Sequence, residues 1–227
     1  MARPSRTPNP PEAPRLEDDE LEDLALAPEA LVPAATFEGV RVAEASLDGI
    51  RARGIAFAHA RIEDIDLAGA QLGGLTLSDV AVQRGNLANV AAHELSLRRV
   101  ELVGARLTGA QWTGGVIADT AFRDCRIDLA TFAGTTFERV AFEGCLLAQT
   151  DFREALFRSV RFEHCDLTEA DLVGVRIDRC ELRACTLEAM AGVERLRGAA
   201  MPWGDVVGNA GLFAAALGIR VLDEEDG

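Results

Sequence analysis

Apolar side chains recur at every fifth residue from Phe37 to Leu187 without a break. The series runs Phe37, Val42, Leu47, Ala52, Phe57 and Ile62, and on through Trp112, Phe122, Phe142, Phe162 and Leu182, giving 31 apolar positions in one phase. A second stripe lies two residues earlier, from Ala35 to Cys185; its exceptions to apolarity are Gly85, Gly115, Thr120, Thr135 and Thr150. Residues 35–189 thus hold 62 uncharged inward candidates, while 40 of the other 93 residues are charged, which separates an inside from an outside. A period of five matches neither the 3.6 of an amphipathic helix nor the 2 of a half-buried strand. It marks a structural repeat, in which each unit buries its apolar face only by stacking on its neighbours.

Units such as Ala45-Ser46-Leu47-Asp48-Gly49, Ala105-Arg106-Leu107-Thr108-Gly109 and Ala130-Thr131-Phe132-Ala133-Gly134 resemble the pentapeptide repeat family. The family pattern is small, polar, Leu or Phe, polar, Gly. The resemblance implies an all-β solenoid: a right-handed quadrilateral β-helix with four pentads per coil, about eight coils, and a short C-terminal α-helical cap. At the usual strand spacing such a rod is roughly 37 Å long. A twenty-residue coil sets Cys125, Cys145, Cys165 and Cys185 in one internal ladder and Phe122, Phe142 and Phe162 in another, where rings can stack. It also sets Trp112 over the small Ala92.

Three regions follow. Residues 1–33 read as a disordered tail, proline-rich at first (Pro4, Pro8, Pro10, Pro11, Pro14) and acidic afterwards. Its leucines, Leu16 to Leu31, suit either a short helix covering the first coil or a solvated linker. Residues 34–190 are the repeat. In residues 191–227, Pro202 and Asp205 suit a helix start, Gly218 its stop, and Ile219 to Leu222 an extended segment. The stretches around Leu196-Arg197-Gly198-Ala199 and Ala216-Leu217-Gly218-Ile219 resemble the terminal module of bacterial family members. The resemblance implies either a cap on the last coil or a homodimer contact, with Val206, Leu212, Phe213, Leu217 and Ile219 as its apolar residues.

Composition narrows the chemistry. The net charge is −14, and all 23 basic residues are arginine, which argues against direct binding to nucleic acid or an anionic membrane. No apolar run approaches the length of a membrane span, and no apolar segment follows the first arginines as a secretory leader requires, so a cytoplasmic protein is expected. The five cysteines all occupy the small inward position and read as core filler. Four sulfurs in a line cannot surround a tetrahedral metal, and His59, His93 and His164 show no ligand spacing. No catalytic residues, metal or cofactor are expected.

Two functional readings come with the resemblance. One is a non-enzymatic scaffold docking an unidentified protein on its outer faces. The other is a duplex mimic that binds DNA gyrase or topoisomerase IV and protects it from quinolones or another poison, as some bacterial members do. The charge is weighted to the ends: residues 1–36 carry three arginines against eight carboxylates, residues 188–227 three against seven, and the repeat nets −5. One repeat face gathers Asp48, Asp66, Asp128, Asp166, Glu169 and Glu188 around Arg106 and Arg126, the candidate acidic face. Another gathers Arg98, Arg99, Arg139, Arg158, Arg176 and Arg179, a mildly basic one.

Overall fold

The computed structural model describes residues 7–221. Within them the repeat winds into a parallel β-solenoid whose strands, from β2 and β3 onward, pair residues twenty apart, so four pentads make one coil. Short strands β1 (Glu22–Leu24), β2 (Thr36–Glu38), β3 (Val40–Ala43) and β4 (Arg51–Arg53) form the first layers. Above them β5 (Ala56–Glu63), β7 (Thr76–Gln83), β9 (Ser96–Val103), β11 (Val116–Arg123), β12 (Thr136–Glu143), β13 (Leu156–Glu163) and β14 (Arg176–Arg183) stack in chain order. Each of these eight-residue strands bends round a corner and so serves two faces. A third face is the ladder of β4, β6 (Gln71–Gly73), β8 (Ala91–His93) and β10 (Gln111–Thr113), continued by single bridges through Thr131, Asp151, Asp171 and Ala191. The fourth is a column of bridges from Ser46 to Thr186.

What makes the corners is a left-handed residue in every pentad. From Ala34 to Ala189, φ is positive at every fifth residue, glycine at some corners (Gly54, Gly109) and Asp, Arg, His or Glu at others. A residue with a Cβ pays about 1 kcal/mol for that conformation. The ladder offsets this: the corner N–H donates to the carbonyl nineteen residues ahead, as in Asp64 to Gln83, Arg84 to Val103 and Asp124 to Glu143.

The inward stripes meet in one continuous core. Of the 31 central positions all are buried except Phe37, Leu67 and Ile177, which are half-buried. The expected aromatic ladder forms, with Phe122, Phe142 and Phe162 stacked at centroid distances of 4.8 and 5.0 Å and interplanar angles of 7° and 4°. Phe132 and Phe152 stack on the neighbouring wall at 5.6 Å. Trp112 pairs with Ala92 as expected and meets Phe132 edge-on at 6.0 Å. The threonines of the small stripe are satisfied: Thr135 donates to the Trp112 carbonyl at 3.0 Å and Thr150 to that of Ile127 at 3.1 Å.

Both ends depart from expectation in detail. No α-helix covers the first coil. Instead β1 pairs with β3 in parallel, two single 3-10 turns (Asp18–Glu20 and Pro28–Ala30) follow the rim, and Leu26 and Leu31 are buried. Where a disordered tail was expected, residues 7–33 follow a definite path on the solenoid; residues 1–6 lie outside the described residues. The charged edge strand pairs Arg41 with Asp23, and Asp18 takes the Arg61 guanidinium, so the acidic run is held by specific arginines. At the other end Ala200 bridges Glu181, and two helices replace the single one expected: α1 (Trp203–Gly208) and α2 (Ala210–Ala216). Gly218 stops α2 at φ 73°, with its N–H bonded to Ala215 and that of Ile219 to Ala214, the Schellman pattern. The Asp205 carboxylate accepts the Ala184 N–H at 2.7 Å, tying α1 to the last coil. Ile219 to Val221 form no strand, and Leu222 lies outside the described residues.

Phe142 touches four other phenylalanine rings, so truncation opens a cavity that the rigid coils cannot close. Phe142→Ala is expected to cost about 3–5 kcal/mol in urea unfolding; a loss below about 1 kcal/mol contradicts this packing.

Candidate functional surfaces

The outward carboxylates of the candidate acidic face sit on one side of the solenoid, but most already accept hydrogen bonds, in turns or from the neighbouring coil. Asp66 accepts the Ala68 N–H at 2.9 Å and the Asn86 amide at 3.0 Å. Asp166 accepts the Thr168 N–H and hydroxyl, Asp128 the Thr108 hydroxyl, and Glu169 the Gln149 amide. Asp48 is exposed on the first coil. An aspartate just before the central position bonds the N–H two residues on, an Asx turn, and Asp151 and Asp171 repeat it on the next face. Arg106 and Arg126 stand in the Asp66–Asp166 column and break its charge.

The mildly basic face is corrected by the structure. Arg99 and Arg139 turn into the corner between the two faces of the long strands, where they meet carboxylates one coil earlier. Arg99 holds Asp79 through Nε and Nη2 at 2.6 Å each, and Arg139 holds Asp119 at 2.6 and 2.7 Å. Asp79 is 2% exposed and Asp119 3%. Buried carboxylates survive there because each is paired bidentately and accepts a further backbone N–H, from Arg15 and Glu12 respectively. The hydrogen bond from Arg99 holds the Asp79 carboxyl down to about 2, against burial, which pushes it up. Burial likewise pushes Asp119 up, but Arg139 and the Glu12 N–H outweigh it and hold the carboxyl below its ordinary value. Arg98, Arg158 and Arg176 remain exposed.

The thiols line the tube. Cys125, Cys145 and Cys165 are buried and donate to the carbonyls of Leu102, Phe122 and Phe142, each twenty-three residues earlier. The neighbouring thiol Cys125 pushes the Cys145 thiol up to about 12, and Cys145 does the same for Cys165. Burial pushes Cys180 up as well. Thiols pushed up in this way resist ionisation, whereas the hydrogen bond with Cys145 lowers the Cys125 thiol below its ordinary value. Among the described residues no group of histidine, cysteine and carboxylate side chains is arranged to hold a metal, and no helix is long and apolar enough to cross a membrane.

The C-terminal candidates divide. Leu212 and Phe213 pack on the core with Leu196, Ala199 and Met201, and Val206 is half-buried. Leu217 and Ile219 face solvent, joined by Trp203 at 79% exposure and by Val207 and Val221. The corner ion pairs were missed in the sequence, although Asp79 and Asp119, with Arg99 and Arg139 twenty residues on, carry the signal in their spacing.

Asp79→Asn leaves the Arg99 guanidinium, itself 13% exposed, without its counter-ion. A loss of about 3–5 kcal/mol at pH 7 is expected. Because the folded pKa lies below the unfolded one, the unaltered pair stabilises fully above pH 5 and loses that stabilisation as pH falls from about 4 to about 2. Urea midpoints of the two proteins should therefore converge at acid pH; a constant gap between them contradicts the assignment.

Comparison with known proteins finds a family match over part of the repeat. Residues 116–191 match the family model described as a pentapeptide repeat region. No curated protein matches the chain in sequence. Among solved structures it is similar to HetL, a pentapeptide repeat protein involved in heterocyst differentiation regulation from the cyanobacterium Nostoc sp. strain PCC 7120. The identity there is 14% and the TM-score 0.42, over 76% of this chain and 91% of that one. It is also similar to trypsin-treated QnrB1, a plasmid-mediated fluoroquinolone resistance protein (16%, TM-score 0.36, 84% and 99%). A third is the pentapeptide repeat protein Rfr23 from the cyanobacterium Cyanothece 51142 (15%, TM-score 0.24, 61% and 88%). Residues 116–191 are thus a pentapeptide repeat region, and the same five-residue period and twenty-residue coil continue it back to Phe37.

Proposed function

We propose that this chain is a non-enzymatic scaffold of the cytoplasm whose outer faces dock a protein partner. The observation that supports it is the order of its outward charges. Guanidinium and carboxylate groups twenty residues apart clamp each other across adjacent coils: Arg84 on Asp64 and Arg123 on Glu143 at the exposed surface, Arg99 on Asp79 and Arg139 on Asp119 at the corner, where the carboxylates are buried. Side chains held this way add little to stability when exposed, but they lose little freedom when a partner arrives. A flat face of fixed charges is a template for a protein of complementary pattern.

The competing reading, a duplex-mimicking ligand of gyrase or topoisomerase IV, draws on the charge of −14. Its candidate face engages Asp66 and Asp166 in turns and carries Arg106 and Arg126 between them, against one negative charge per ~1.7 Å of duplex. Co-purification from the native cell decides for the scaffold if a stoichiometric protein companion is retained. Addition of the purified chain to a gyrase supercoiling assay, with and without a quinolone, is expected to change neither activity nor drug sensitivity. Inhibition or protection at micromolar concentration replaces the scaffold reading with the mimic.

We infer further that two copies join end to end through the C-terminal module, since Trp203, Val207, Leu217 and Ile219 leave an apolar surface on that end. Light scattering is expected to give twice the 24.3 kDa chain mass. Trp203→Asp with Leu217→Asp should return the single-chain mass; a monomer before substitution sinks the dimer.

A further inference from the structure

The N-terminal segment crosses the solenoid along the corner of the buried ion pairs, and it does so in steps of three residues. Pro8 is buried and Pro11 and Pro14 are half-buried, while Asn9, Pro10, Glu12, Ala13 and Arg15 are exposed. A face that returns every third residue belongs to a polyproline II strand, whose N–H groups are left free of internal bonds. Those free groups find the corner. The N–H behind Pro14, that of Arg15, donates to Asp79 Oδ1 at 3.0 Å, and the N–H behind Pro11, that of Glu12, donates to Asp119 Oδ1 at 3.3 Å. In both cases the same carboxylate oxygen also accepts Nε of the arginine one coil on, Arg99 or Arg139, at 2.6 Å. The two contacts are copies of a single subsite.

The two lattices fit. Between the subsites the segment advances three residues and the solenoid forty, which is two coils. Three residues of polyproline II rise about 9.3 Å, and two coils at the usual strand spacing rise about 9.6 Å. Small residues make room beside each carboxylate, Ser78 and Ala81 at one, Ala118 and Ala121 at the other. Ala81 and Ala121 are buried although they stand on the outer surface of the strands. One more step of the same register brings Asn9, behind Pro8, level with Ser159. That corner serine is 1% exposed and its hydroxyl has no hydrogen-bond partner among the described residues.

We propose that this corner is a binding site for polyproline II segments with proline at every third residue, and that residues 8–15 are its intramolecular ligand. Asp79 and Asp119 read the free N–H behind each proline, Arg99 and Arg139 hold the two carboxylates in place, and the alanines receive the rings. The site deepens the scaffold reading by giving a partner its chemistry: a protein that carries such a segment and displaces the strap.

The test uses the full chain and a fluorescent peptide spanning Thr7 to Leu16, followed by anisotropy. In the unaltered protein the covalently tethered strap outcompetes the peptide. The triple variant Pro8→Gly, Pro11→Gly, Pro14→Gly loosens the strap and should bind the peptide at least tenfold more tightly than the unaltered chain. Adding Asp79→Asn and Asp119→Asn to that variant should weaken binding tenfold or more, as should a peptide of the same composition with its proline spacing broken. Absence of saturable binding to the triple variant, or binding indifferent to either change, overturns the proposal. If the combined variant does not fold, Asp119→Asn alone supplies the readout. Exchange of the Glu12 amide should rise at least tenfold while that of Phe142 stays slow; an unchanged Glu12 amide is equally fatal. A native companion retained equally by the triple variant and the unaltered chain engages another face, which leaves the scaffold reading intact and separates the two failures.

Discussion

Closure of the coil after twenty residues is the constraint on which everything else in this molecule rests. Because the chain returns to the same corner after four pentads, each side chain lies directly over the one twenty residues before it, as in the pairing of Phe122 with Phe142 and of Phe142 with Phe162. That registry turns single preferences into columns. Benzyl rings stack at 4.8 to 5.0 Å, thiols donate in turn to the carbonyls of the coil below, and corner N–H groups such as those of Asp64, Arg84 and Asp124 find carbonyls in the next coil. The left-handed conformation at every corner is costly for residues with a Cβ, and only the ladder on both sides of it makes the cost sustainable.

The same registry organises the outside. Opposite charges placed twenty residues apart become neighbours, so Arg99 and Arg139, part of a basic face in the sequence, are absorbed by carboxylates one coil away. Outward aspartates are likewise drawn into Asx turns beside the centre of their own pentad. Charge counting along such a chain therefore overstates what a partner meets. The charges that stay exposed are held in fixed geometry, the property on which the proposed docking of a protein rests.

The ends show how a solenoid protects its exposed edges without repeating itself. At the first coil β1 and the buried Leu26 and Leu31 close the bore. At the last, Ala200 pairs with Glu181 while Leu212 and Phe213 lie over the core. The proline-rich segment belongs to neither end. It climbs the side of the tube because an extended chain rising about 3.1 Å per residue is nearly commensurate with the stack.

The five-residue phase, the twenty-residue coil, the phenylalanine and cysteine ladders, the tryptophan over Ala92 and the stop at Gly218 were all legible in the residues themselves, since each depends on spacing along one chain. The strand and 3-10 turns of the first coil were not, because Leu16 to Leu31 has no period that selects them; pairing with Val40 to Val42 does. Nor was the fate of Pro8, Pro11 and Pro14, which composition alone assigns to a disordered tail. Their three-residue spacing acquires meaning only beside carboxylates repeated every two coils, and Asp79 and Asp119 become buried acceptors only once Arg99, Arg139 and the strap surround them. Periodicity along the chain thus determined the tube, whereas the match between two different rises, one of a free strand and one of stacked coils, exists only after the tube has formed.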